Sequence, residues 1–312
     1  MTGTAGNDVL KGGDGDDTFT VSSGHDTIAG GGGFDTVQLA GHAAGYKMQV
    51  VDGTLVVSGT AGNSYAMHDV EALTFTGGQG NAPAEIAARL YAGILGRPGN
   101  AMEVDYWAGV IAAGGSPRDV AIEFVNSPEA AGLFHTSGAT GFVTALYESM
   151  MGRMPAPKEV DYWVAAINAG AQRADVALEF INSPEYLAKP VNVELGSSEL
   201  GVLLRLYYTM FDRAPDEAGL NYWLGQHSDG LSMSSIASNF AQSLEVGTLT
   251  DGAFIDRIYD AGLHRDPTAA EKAQLLDLFD RGLDRGQILL QISESPDAVT
   301  LVGVVDSTIT LA

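Results

Sequence analysis

GTAGNDVLK (3–11), GGDGDDTFT (12–20), VSSGHDTIA (21–29) and GGGGFDTVQ (30–38) share one register of nine. Each has glycine in fourth place (Gly6, Gly15, Gly24, Gly33), aspartate in sixth (Asp8, Asp17, Asp26, Asp35) and a large apolar residue in eighth (Leu10, Phe19, Ile28, Val37). Within the second line Asp14, Asp16 and Asp17 crowd into four positions with no base within two residues on either side. Like charges this close repel, and glycine loses the most backbone entropy on ordering. Alone, such a segment is expected to stay disordered; a strict period of nine points to a use for it.

The nine-residue unit resembles the RTX (hemolysin-type) repeat, GGxGxDxUx, of calcium-binding parallel β-rolls. The residue chemistry agrees with that resemblance. Glycines permit tight turns that aim carbonyl oxygens inward, and aspartate supplies a hard anionic oxygen. Calcium takes about six to eight such oxygens. The last three residues of each unit form a short strand whose eighth position faces inward. In a roll of this kind successive loops fall on alternate sides, so Asp8 is expected beside Asp26 and Asp17 beside Asp35. Each pair, with carbonyls of both loops, would hold one Ca2+. The implied metal residues are Gly3, Ala5, Gly6 and Asp8; Gly12, Asp14, Gly15 and Asp17; Gly24 and Asp26; and Gly30, Gly32, Gly33 and Asp35. Calcium-poor conditions would leave the segment unfolded and a millimolar supply would fold it.

Residues 39–79 are expected to complete this first domain, 1–80. MQVVDGTLVV (48–57) reads as a β-hairpin around Asp52-Gly53, suited to a type I′ turn, and HDVEALTFTGG (68–78) as a further capping strand. GGQGNAP (77–83) reads as a loop or linker.

From Ala84 the pattern turns helical and repeats at a longer period. Tyr91, Tyr147, Tyr207 and Tyr259 are each followed six residues on by Arg97, Arg153, Arg213 and Arg265. Sixteen residues after the tyrosines stand Trp107, Trp163, Trp223 and then Leu275; seven further stand Gly114, Gly170, Gly230 and Gly282. Ser127, Ser183, Ser243 and Ser295 end the pattern, followed by proline in all but the third. The repeats fall at about 84–135, 140–190, 197–249 and 251–298, each read as three helices. In the first, Ile86, Leu90 and Ile94 share a face that ends at Gly96, Val104, Trp107 and Ile111 share another, and Ser116-Pro117 starts the third helix. The predicted fold class is therefore multidomain: a β domain, a short parallel β-roll with a hairpin cap, then an all-α part of four three-helix repeats.

The pattern LY…GR.P…DYW…G…F.NSPE resembles the helical domain of unknown function 4214, found beside RTX repeats in secreted and surface-layer-associated bacterial proteins. That resemblance covers about 84–298 and implies an adhesive or anchoring role without naming a ligand. The tail VTLVGVVDSTITLA (299–312) is similar to the C-terminal signals of type I secretion. The opening MTGTAGND has neither the basic nor the apolar region of a Sec signal, so export would use another route.

Composition sets outer limits. The chain has 312 residues, 45% of them hydrophobic, no cysteine, and 39 acids against 16 bases for a net charge of −23. That charge argues against nucleic acid, and no apolar run suits membrane insertion. Without cysteine there are no disulfides and no thiolate chemistry. No HExxH, GxSxG or phosphate loop occurs, and the six histidines show no metal-ligand spacing, so no enzyme activity is expected. The tryptophans read as repeat core. Tyr106, Tyr162 and Tyr222 beside them read as the exposed candidates for ligand contact. Arg97, Arg153 and Arg213 are further ligand candidates if the ligand is acidic; the plainer expectation is that each bridges a helix end to an acid such as Asp105 or Asp161. The functional expectation is an extracellular, calcium-binding, non-enzymatic adhesion or anchoring protein that binds cell-surface, capsular or matrix polysaccharide. The alternative is a structural subunit of a surface layer or phage-like particle spike, with repeats that contact one another or other surface proteins.

Overall fold

The structure is a computed structural model. It describes residues 1–59, 61–78, 80–99, 101–134, 138–243, 247–303 and 305–312. The chain forms a β region within residues 9–75 followed by a helical region, as the sequence predicts.

Four short strands come from the four nonapeptides: β1 (Val9–Lys11), β2 (Thr18–Thr20), β3 (His25–Ala29) and β4 (Thr36–Leu39). β1 pairs with β3 and β2 with β4, both parallel and both offset by two repeats. Consecutive repeats therefore lie in different sheets, which puts loops two units apart on one side. Phe19, Ile28 and Val37, the eighth-place residues, are fully buried between the sheets, whereas Leu10 at the open end is half-buried. The hairpin follows as β5 (Tyr46–Val51) and β6 (Thr54–Gly59). Asp52 and Gly53 have φ of 50° and 73°, and positive φ at both central residues fits the expected type I′ turn.

Two strands escaped sequence reading, one before and one far after the strand expected within 68–78. β7 (Ser64–His68) adds to β3 in parallel and to β6 antiparallel, and so joins the hairpin to the repeats. β8 (Ala72–Phe75) extends β4 in parallel. β9 (Val191–Glu194), far along the chain, pairs antiparallel with β8. The two sheets run β1-β3-β7-β6-β5 and β2-β4-β8-β9.

The four helical repeats begin with α1 (Pro83–Leu90), α5 (Ala139–Leu146), α9 (Glu199–Phe211) and α12 (Asp251–Leu263). In the first two repeats the helix continues as a π-helical turn, Tyr91–Leu95 and Tyr147–Met151, before Gly96 and Gly152 turn left-handed. The first repeat goes on with α2 (Ala101–Ala112), α3 (Pro117–Val125) and α4 (Pro128–Phe134), and the second with α6 (Pro157–Asn168), α7 (Arg173–Ile181) and α8 (Pro184–Leu187). The third has α10 (Glu217–Ser228) and α11 (Met233–Ala241); the fourth has α13 (Ala269–Asp280), α14 (Arg285–Ser293) and α15 (Pro296–Val302). Three repeats thus carry a fourth short helix beyond the three expected. Its cause is local: the hydroxyls of Ser127, Ser183 and Ser295 accept the N–H three residues on, and proline follows at the first helical position.

The compact units differ from the expected division into 1–80 and 84–298. One unit is Met1–Thr76 with Val191–Ala312; the other is Gly77–Pro190. The β region thus shares a unit with the third and fourth repeats, and the first and second repeats form their own. Three connections within the larger unit explain this: the β8–β9 ladder, the hairpin on α10, and the tail. The Asn221 amide accepts from Val50 N–H at 2.7 Å and donates to Val50 carbonyl at 2.6 Å, and Glu217 accepts from Asp52 N–H at 2.7 Å. In the tail, Ser307 N–H donates to Val70 carbonyl and Ile309 N–H to Gly53 carbonyl, while Val305 and Ile309 are buried.

In both units the repeat core is a chain of rings. Tyr91, Tyr147 and Tyr207 stand edge-on to Phe124, Phe180 and Phe240 at 4.6, 4.8 and 4.9 Å. Trp107, Trp163 and Trp223 pack on the same phenylalanines at 5.4, 5.2 and 5.4 Å. The fourth repeat replaces tryptophan and phenylalanine with Leu275 and Ile292.

Candidate metal centre

Within the larger unit the aspartate loops stack in layers, with an 18-residue step. Asp8 N–H donates to Asp26 Oδ1 at 3.0 Å, and Asp17 N–H to Asp35 Oδ1 at 2.7 Å. The expected pairs are therefore neighbours, each upper aspartate capping the backbone of the lower one. Stacking this close needs glycine: Gly24 (φ 127°) and Gly33 (φ 130°) lie directly on the backbone of Gly6 and Gly15, where any Cβ would collide. Gly6 itself is not left-handed, unlike its three counterparts.

The remaining named residues hold the layers in register. Gly3 N–H donates to Thr20 carbonyl, Gly12 N–H to Ala29 carbonyl, Gly30 N–H to His68 carbonyl, and Gly15 N–H to Gly32 carbonyl. Asp14 forms a β-bridge with Gly32, and Ser23 Oγ donates to Ala5 carbonyl at 3.2 Å. Asp16 Oδ1 accepts from Phe34 N–H at 2.8 Å. The crowded aspartates thus do different work: Asp14 pairs through its backbone with Gly32, Asp16 Oδ1 holds the loop above, and Asp17 Oδ2 accepts Gly13 N–H at 2.9 Å.

Two oxygens are left over. Asp26 and Asp35 are 2% and 0% exposed, and the Oδ2 of each is buried with no hydrogen-bond partner. A buried carboxylate oxygen without a donor costs several kcal/mol of lost solvation, roughly, unless a cation or proton meets it. Beside Gly12, a Cβ would fall on the Gly30 carbonyl oxygen from the layer above and on Asp17 Oδ2 from its own. Hard oxygens converging on a Cβ-free spot suit calcium. Among the described residues no group of three or more His, Cys, Asp or Glu side chains that could hold a metal occurs. His135, one of the six histidines, lies outside the described residues.

Sequence reading missed Glu71. Its Oε2 accepts Asp35 N–H at 2.7 Å, the place that Asp35 takes above Asp17 and Asp26 above Asp8. Burial pushes the Glu71 carboxyl above the usual range, with the Asp35 and Asp306 carboxylates adding to it. A signal was present: in residues 66–74 Asp69 is fourth, Glu71 sixth and Leu73 eighth, with Asp69 at φ 50°. No glycine marks the unit, and glutamate replaces aspartate.

The helical candidates divide. Tyr106, Tyr162 and Tyr222 are 63%, 66% and 56% exposed, each edge-on to its neighbouring tryptophan at 4.9, 5.0 and 4.8 Å. Arg97 and Arg153 each pair with two glutamates. Arg97 takes Glu103 and Glu129 in two bidentate pairs of 2.6–3.0 Å and stacks on Tyr91; Arg153 does the same with Glu159, Glu185 and Tyr147. Both guanidiniums are committed to these carboxylates, an acid bridge of the kind that was the plainer expectation. Arg213 stacks on Phe211, and the third repeat has Gly219 where the others carry the first glutamate.

Residues 2–37 match the RTX calcium-binding nonapeptide repeat (4 copies), and residues 136–189 and 203–249 match the Domain of unknown function (DUF4214). The DUF4214 matches cover the second and third repeats, so they are narrower than the 84–298 of the sequence resemblance. RTX nonapeptides are characteristically calcium-binding and occur in secreted proteins. No curated protein matches the chain. Among solved structures, the extracellular lipase LipA from Serratia marcescens is similar at 26% identity over 23% of this chain and 13% of its own, with a TM-score of 0.15. The chain therefore spans about an eighth of that enzyme's length. No helix among the described residues is long and apolar enough to cross a membrane.

Proposed function

From a chain that carries RTX calcium-binding repeats at its start and DUF4214 domains in its helical part, we propose a calcium-ordered, non-enzymatic adhesion or anchoring protein of the extracellular space. Residues 1–76 act as a short parallel β-roll. One Ca2+ sits between the loops of Asp8 and Asp26, another between those of Asp17 and Asp35. The ion, when bound, neutralises the paired carboxylates and takes the place of the missing donor at buried Asp26 Oδ2. The helical repeats present polysaccharide contacts.

The observation that carries the second half is the recurrence of an exposed tyrosine on a half-buried tryptophan. A phenol ring left 56–66% exposed in three equivalent places, held edge-on by its neighbour, is a rigid apolar platform. Such rings stack on the C–H faces of sugars at low entropic cost, and two of them in Gly77–Pro190, Tyr106 and Tyr162, favour a repeating polymer. Because Arg97 and Arg153 are already neutralised, the preferred polymer is neutral rather than acidic.

The test is binding of the purified full chain to the producing organism's surface polysaccharide, with calcium and with chelator. Binding that is lost in the Tyr106→Ala, Tyr162→Ala, Tyr222→Ala triple variant supports the reading. No binding in either condition, with concentration-dependent assembly in calcium, moves the function to a structural subunit.

A further inference from the structure

We infer that Glu71 completes a third calcium site, between loop 30–35 and the segment Asp69–Glu71, outside the nonapeptide repeats. The inference rests on the two-site reading of the roll and extends it by one layer.

The same cradle occurs twice on one side of the stack. At Gly12 a Cβ would fall on the carbonyl oxygen of Gly30, one layer up, and on Asp17 Oδ2. At Gly30 a Cβ would fall on the carbonyl oxygen of Asp69, one layer up again, and on Asp35 Oδ2. The upper acid is also repeated, since Asp35 Oδ1 takes Asp17 N–H and Glu71 Oε2 takes Asp35 N–H, both at 2.7 Å. Asp35 thus uses one oxygen downward, on Asp17. Its other oxygen lies beside Asp69 in a residue with no exposure, and it has no hydrogen-bond donor.

Glutamate at this level has a geometric reason. Six residues, 30–35, turn between Ala29 and Thr36, whereas three, Asp69–Glu71, do so between their ladder partners His68 and Ala72. The shorter turn sits further back, and one extra methylene restores the reach of the carboxylate. On the opposite side of the stack no acid follows: the ladder partner of Asp26 is Tyr65. The prediction is therefore one additional ion, on one side only.

The test counts calcium ions on the full chain by native mass spectrometry and calorimetric titration, with circular dichroism to show that each variant is folded. Three ions are expected for the wild type and two for Glu71→Gln, whose amide oxygen still accepts Asp35 N–H. Asp26→Asn is expected to lose a different ion and to keep the one that Glu71→Gln removes. Two ions on the wild type, unchanged by Glu71→Gln, overturn the third site and leave the two-site reading standing. No bound ion overturns both. The wild-type count decides the matter even where Glu71→Gln fails to fold.

Discussion

Calcium should stabilise one compact unit and leave the other untouched, and the partition should ignore the boundary between β and helical sequence. The perturbation is calcium against chelator on the full chain. With extracellular-type affinities of roughly 10⁻⁴ to 10⁻³ M per site, about 10 mM calcium adds about 1.4–2.7 kcal/mol per site to the state that binds it. The two sites within the nonapeptide repeats alone give about 3–5 kcal/mol. For a unit of 150–250 residues, the range into which Met1–Thr76 with Val191–Ala312 falls, this raises Tm by roughly 6–20 °C. Differential scanning calorimetry should resolve two transitions. Phe142→Ala, in the core of Gly77–Pro190, and Phe254→Ala, in the core of the other unit, assign them, since each removes a fully buried ring at a cost of about 3–5 kcal/mol. Calcium is expected to move the Phe254 transition alone. The helices α9–α15 should shift with the β region because β9, Asn221, Glu217 and the tail tie them to it. Equal shifts of both transitions, or helices 199–302 melting apart from the β region, would refute this reasoning.

Arg205 and Glu294 form a bidentate pair at 2.8 Å with side chains 3% and 14% exposed, so Arg205→Met, which strands Glu294, should cost the larger unit about 3–5 kcal/mol by chemical denaturation. The Arg153 guanidinium, then Ala156 N–H, holds Glu159 down at about 2, and Arg265 with Thr268 does the same for Glu271. Both folded values lie below the ordinary one, so their contribution is present above the ordinary carboxylate range and is lost as pH falls through about 2. Carboxyl ¹³C titration should show this, and Arg153→Ala should raise the Glu159 titration toward the ordinary range, Ala156 N–H still holding it below; an unmoved Glu159 titration would sink the assignment. His264 ends α12 at φ 50°, where Gly96 and Gly152 stand in the first two repeats. His264→Gly is expected to raise stability by about 0.5–1 kcal/mol, the left-handed penalty less the entropy of glycine, read as a higher denaturation midpoint.

Sequence alone determined the features in which cause and effect sit close together in the chain. The nonapeptide register, its buried eighth-place residues and the pairing of aspartates two units apart follow from a strict period. The Asp52-Gly53 turn and the Ser-Pro starts of the short helices follow from dihedral preference and capping within three or four residues. The outward tyrosines beside inward tryptophans follow from the 100° step of a helix. Glu71 escaped because its unit has neither glycine nor aspartate at the diagnostic places, and only the ladder from β4 to β8 shows that it occupies a repeat position. Of the partners of Arg97 and Arg153, Glu129 and Glu185 escaped for a related reason: they lie 32 residues on, brought back by the fold of the whole repeat.

Tertiary structure alone decided how the repeats divide. Four similar periods carry no mark of a division, yet they fall into two compact units with two repeats in each. Arg118 pairs with Asp175 between α3 and α7 in one unit, while Gly286 packs onto Ser238 between α14 and α11 in the other. The third and fourth repeats join the β region through a four-residue strand, one asparagine and a tail. Each is a long-range contact to the β region's backbone, and such pairing depends on which edges remain open once the chain has folded, a property no local stretch of sequence contains.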